Sequence, residues 1–158
     1  MQIRTTKILL VAAMALYLSL VAFNNFTDYG SNYAFVEHVL RMDTTFPDNG
    51  GMWRAIDSAA VHTLFYWVII AWETAAAICC WLGAVVLWRN GTTRYAVLGL
   101  TLSLLLWLAA FLTIGGEWFL MWQSGTWNGQ VGASRMFVVS ALVLIVLFLP
   151  ERDTGATA

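Results

Sequence analysis

The chain has 158 residues, of which 60% are apolar and 11% charged, with nine Trp and a formal net charge of −1; its mean hydropathy is +0.72. An ordinary soluble domain is about 25% charged, and one of this size buries only about 70% of the surface its unfolded chain exposes. That excess of apolar surface excludes a soluble monomer, a disordered tail and a disulfide-built secreted module, and the eight scattered basic residues offer no patch for nucleic acid.

A bilayer core of about 30 Å takes roughly 20 helical residues, and four stretches qualify: 8–25, 62–88, 95–122 and 130–149. The expected fold is all-α, a four-transmembrane-helix bundle forming a single membrane domain over 1–158, with a partly helical outer loop at 26–61. The first stretch follows Arg4 and Lys7 as a signal peptide's apolar run would. Leu20-Val21-Ala22 offers no small-x-small cleavage site, however, so a retained helix is expected. In the loop, Ser31 or Asn32 stands where it would cap a short helix with Phe35, Val36, Val39 and Leu40 on its apolar stripe. Pro47-Asp48-Asn49-Gly50-Gly51 is a turn, and Trp53, Ile56 and Ala60 suggest a helical approach into the second span. The loop reads as a folded cap. Arg4, Lys7, Arg89, Arg94 and Arg152 fall on one side of the bilayer, which should therefore be cytoplasmic and hold both termini.

Depth arithmetic adds a second expectation. Glu73 lies 16 residues before Arg89, Arg135 lies 15 before Pro150, and Asn24 lies 17 after Lys7. At the helical rise these are about 24, 22 and 25 Å above the inner surface, so Asn24, Glu73 and Arg135 should share a polar layer in the outer third of the hydrocarbon. A lone charge at depth costs about 2.5–3.5 kcal/mol on insertion scales, and the economical arrangement is a Glu73–Arg135 ion pair helped by Asn24 or Tyr17. The second span supports it, placing His62, Tyr66, Ile69, Glu73, Ala76, Cys80 and Gly83 on one face. A similar stripe in the third span runs Gly99, Ser103, Leu106, Ala110, Thr113, Glu117. Gly115-Gly116 would bend or end that helix, or admit another backbone closely. Such a pair serves as structural glue or as part of an ion path. Below Cys80 the second span offers only Gly83, Ala84, Val85 and Val86, so the polar ladder stops.

Other residues carry weaker signals. Cys79 and Cys80 point about 100° apart on a helix and suit buried small residues better than a disulfide. The two histidines, His38 and His62, lie on the outer side without metal-ligand spacing. No cofactor is expected, with haem or metal on His38 and His62 as the alternative. Trp53, Trp67, Trp118, Trp122 and Trp127 form an outer aromatic belt and Trp81 and Trp88 an inner one; Trp72 and Trp107 fall too deep for either.

Two further blocks are distinctive. Asn24-Asn25-Phe26-Thr27-Asp28-Tyr29-Gly30-Ser31-Asn32 leads into Phe35-Val36-Glu37-His38-Val39-Leu40-Arg41-Met42-Asp43. Later, Gly115-Gly116-Glu117-Trp118-Phe119-Leu120-Met121-Trp122-Gln123-Ser124 is followed by Trp127-Asn128-Gly129-Gln130 and Arg135. Together they resemble the bacterial small integral membrane proteins of domain-of-unknown-function family 2165, a resemblance that implies four helices in a bacterial inner membrane and supplies no catalytic residue. The matching motifs converge on one outer-face polar and aromatic region: Asn25, Asp28, His38, Asp43, His62, Glu117, Trp118, Trp122, Gln123, Trp127, Asn128 and Gln130. The leading functional expectation is a non-catalytic accessory or assembly subunit of a larger membrane complex, with lipid and other membrane subunits or a second copy as partners. The alternatives are a small transporter or proton-coupled channel using Glu73, Arg135 and Glu117, and a periplasmic-face enzyme or cofactor protein with His38, His62 and Glu117 as ligands.

Overall fold

Long apolar runs satisfy their backbone hydrogen bonds internally only as helices, and the computed structural model, which describes residues 3–151, is helical with no strand among those residues. Four helices are long and apolar enough to cross a membrane: α1 (Ile3–Thr27), α3 (Ala59–Asn90), α4 (Arg94–Trp118) and α5 (Gln130–Phe148). The shorter α2 (Tyr29–Arg41) lies in the loop between α1 and α3. Arg152, counted for orientation above, lies outside the described residues.

The basic end of the bundle is tied together by α1. Arg4 donates from Nη2 to the carbonyls of Leu87 and Trp88, both at 3.0 Å. Lys7, only 5% exposed, donates from Nζ to the Leu149 carbonyl at 2.6 Å and pairs with Glu151 at 3.4 Å. Two cations thus cap the last carbonyls of α3 and α5, where the helix dipole favours positive charge. The arrangement sets the start of α1 beside the ends of α3 and α5.

At the opposite end the cap departs from the sequence expectation. Only Asp28 separates α1 from α2, so neither Ser31 nor Asn32 is an N-cap. Asn32 instead donates from Nδ2 to the carbonyls of Asp28 (2.9 Å) and Asn24 (3.4 Å), satisfying the end of α1. The approach to α3 is not continuously helical. Met52–Arg54 is a 3₁₀ turn, Ala55 and Ser58 are extended, and the Ile56 amide donates to the Leu40 carbonyl at 2.8 Å. Asn49 orders the turn that precedes it, its Oδ1 accepting from the Gly51 amide at 2.9 Å.

The expected buried face of α3 forms: His62, Tyr66, Glu73, Ala76, Cys80 and Gly83 are all buried, with Ile70 taking the place of the half-buried Ile69. Gly83 and Gly99 let α3 and α4 touch. A Cβ on Gly83 would collide with the backbone of Ala96, and one on Gly99 would lie 2.6 Å from Cys80 Sγ. The stripe expected on α4 holds only to Leu106, because α4 widens there into a π-helix, Leu106–Trp118. Phe119 N donates five residues back to the Ile114 carbonyl at 3.0 Å. The wider turn rotates the buried face onto Trp107, Gly115 and Gly116 and leaves Thr113 and Glu117 exposed. Regular structure then ends at Trp118 rather than at 122, where Leu120 turns into the left-handed region (φ 53°) before a 3₁₀ turn at Met121–Gln123.

Candidate functional site: a polar cavity under the cap

Of the three residues expected at one depth, Glu73 and Arg135 line a common cavity and Asn24 does not. Tyr17, Val21 and Asn25 of α1, Asn32 and Phe35 of α2, Tyr66, Ile69 and Glu73 of α3, Trp107 and Phe111 of α4, and Gly132, Arg135 and Met136 of α5 line one cavity of about 480 Å³. Every helix contributes. Glu73 is 2% exposed, and its Oε2 accepts from Asn25 Nδ2 at 2.6 Å. The Asn25 carbonyl in turn accepts from the Tyr66 hydroxyl at 2.7 Å, locking the end of α1 to α3.

Two expectations are corrected here. Asn24 is exposed and takes no part; Asn25 replaces it, because one residue along a helix turns the side chain by about 100° while changing its depth by only about 1.5 Å. The Glu73–Arg135 ion pair is also absent. Both residues line the cavity, but they lie beyond the ~4 Å of an ion pair. Glu73 is satisfied locally by Asn25, and Arg135 is exposed on α5. Tyr17 also lines the cavity without bonding to Glu73.

Below this layer lies a smaller polar contact. Ser103 and Ser140 hydroxyls meet at 2.9 Å, and the Trp107 indole donates to Ser103 at 3.2 Å. Trp72 donates to the Leu102 carbonyl at 3.1 Å, so both deep tryptophans are held by packing and a hydrogen bond. Toward the basic end, Val11, Met14, Ala15, Leu18, Ala76, Cys80, Leu100 and Val143 close the bundle with apolar contacts. Cys79 and Cys80 are free thiols.

The other outer-face residues separate into distinct groups. His38 donates from Nδ1 to Asp43 at 2.9 Å and stacks on Trp127, with ring centroids 4.6 Å apart. Ser124 knits the two cap segments, accepting from the Thr44 hydroxyl and the Trp127 amide, each at 2.8 Å. Gln123 accepts from the Phe46 amide at 3.1 Å, and Trp122 packs edge-on against Phe46. Asn128, just before the Gly129 N-cap of α5, accepts on Oδ1 from the Gln130 amide at 3.0 Å, while the Gln130 side chain lies against Gly116. What approaches Gly116 is thus a side chain rather than the other backbone expected at the Gly115-Gly116 pair.

A group not anticipated from the sequence centres on Arg54. It lies over the rings of Trp53 (5.4 Å) and Trp118 (5.2 Å) and donates to the Trp118 carbonyl at 3.0 Å, closing the end of the π-helix. A lone cation in a loop carried no signal for this role. Asp28 is exposed at the α1–α2 junction, and Glu117 is exposed, its carbonyl accepting from Arg54 at 3.4 Å. His62 is buried at the start of α3, donating from Nε2 to the Ile56 carbonyl at 2.8 Å. His38, His62 and Glu117 therefore belong to three different environments, and among the described residues no three His, Cys, Asp or Glu side chains gather as metal ligands would.

The chain belongs to the family of predicted small integral membrane proteins (DUF2165), whose model matches residues 3–150. It is accordingly a multi-pass helical membrane protein in contact with the lipid bilayer. No curated protein and no solved structure matches it.

Proposed function

We propose that this protein is a non-catalytic accessory subunit of a larger complex in a bacterial inner membrane, and that its cavity under the cap holds a group presented by its surroundings. The observation that carries the reading is the blind end of the cavity. Beneath Glu73 the bundle is sealed by Ala76, Cys80, Leu18, Leu100 and Val143. A floor of packed side chains, whose Ser103, Ser140 and Trp107 groups bond to one another, suits a receptacle better than a route through the membrane, and Glu117, the third residue of a transport reading, stands outside the cavity. The excess of basic residues at Arg4, Lys7, Arg89 and Arg94 favours placing that end in the cytoplasm and the cap outside.

The reading predicts that gentle native purification recovers the chain in a discrete assembly larger than its own 17.6 kDa, with partners crosslinked through exposed cap positions such as Asp48 or Gly125. Migration as a lone chain with no crosslinked adduct would falsify it.

A further inference from the structure

We infer that the cavity is a headgroup site for a membrane phospholipid that carries a primary ammonium, with the ammonium on Glu73 and the phosphate on Arg135. The inference deepens the receptacle reading above but needs no partner subunit, so the two fail separately.

The first argument is charge. Glu73 is buried, and among the described residues only Asn25 donates to it, at one of its two oxygens. A buried carboxylate is costly unless further paired. Arg135 lines the same cavity and makes no ion pair of its own with a described residue. Opposite charges facing one space, held apart by the fold, fit a single guest bearing both signs.

Donor chemistry then narrows the guest. A carboxylate accepts only, so the cationic end must donate; a primary ammonium offers three N–H groups and a quaternary one offers none. The guanidinium fork of Arg135 matches phosphate oxygens in pairs. Gly129, Gly132 and Ala133 also line the cavity, which sets the phosphate end beside the first turn of α5 and its positive dipole end.

Depth selects a lipid over a dissolved solute. Tyr17 is an exposed rim residue ten positions before Thr27, about 15 Å down α1. The rim on α1 and α5 therefore reaches hydrocarbon level, where acyl chains can stay in the bilayer while the headgroup enters. Val21, Phe35, Ile69, Phe111 and Met136 give the walls an apolar surface for the chains' first carbons. The volume, about 480 Å³, lies within the roughly 300–1,000 Å³ of small-molecule sites.

The test is lipid retention by the full chain, extracted from vesicles containing equal parts phosphatidylethanolamine, phosphatidylcholine and phosphatidylglycerol and read by native mass spectrometry. The expected result is retention of phosphatidylethanolamine roughly tenfold over each of the others, the scale of one or two charge-assisted hydrogen bonds. Glu73→Gln should bring the three lipids level, and Arg135→Gln should reduce retention of all three. Gly132→Phe provides a variant independent of the charges: Gly132 lines the cavity, and a Cβ there meets nothing within 4 Å. The ring should fill the site and displace the lipid from a folded protein. Equal retention of the three lipids by the native chain overturns the inference, as does a preference that survives Glu73→Gln or Gly132→Phe. Displacement by soluble phosphoethanolamine also overturns it, since the site would then serve a solute.

Discussion

Asn24 and Asn25 are chemically identical neighbours with unequal roles. The Asn25 side chain donates to a buried carboxylate while its main-chain carbonyl accepts from the Tyr66 hydroxyl, whereas the Asn24 side chain faces outward. Removing one partner of a buried polar group costs about 1–3 kcal/mol, because the other is left desolvated and unpaired. Asn25→Ala should therefore lower stability by that amount in a thermal melt in detergent, with Asn24→Ala close to neutral. Equal effects of the two substitutions would show that the bridge to Glu73 does not matter. Position along a helix axis follows from residue count alone. Facing does not, because each step turns the side chain through more than a quarter circle.

At the level of elements, the seam between α3 and α4 depends on missing side chains. Membrane helices gain no hydrophobic drive for association from lipid, so close backbone approach at small residues has to hold them together. Gly99→Ala places a methyl against Cys80 and should cost about 1–3 kcal/mol, the usual penalty of overpacking. Gly30, on α2, has open space around its Cβ, and Gly30→Ala should instead stabilise by about 0.5–1 kcal/mol through lost unfolded-chain entropy. Paired denaturation measurements that give both substitutions the same sign would contradict this account. The π-helical half of α4 is the element that sequence pattern could not supply. Small and polar residues at α-helical spacing from Gly99 to Glu117 read as one stripe, yet the wider turns beyond Leu106 bury Trp107, Gly115 and Gly116 and expose Thr113 and Glu117.

Across the whole molecule, one end is basic and pinned by Arg4 and Lys7, and the other carries a cap whose segments are joined through Ser124, Gln123 and Arg54. The orientation proposed above has a direct consequence. A cysteine introduced at Gly125 should react with a membrane-impermeant thiol reagent in intact cells, whereas one at Gly91 should react only after permeabilisation. The reverse pattern would invert the topology. Background from Cys79 and Cys80 should be small, since both sit in the middle of α3 and Cys80 is buried.

The amino-acid sequence by itself determined the helical class, the four spans and the existence of an ordered cap. Each of these follows from local quantities: apolar length, rise per residue and the chemistry of short turns. Only the tertiary structure decided that Asn25 rather than Arg135 satisfies Glu73, that Arg54 closes the π-helix, and that the outer residues divide between a cavity and separate surface groups. Those outcomes depend on how helices are rotated against one another, and rotation is set by the packing of side chains far apart in the chain.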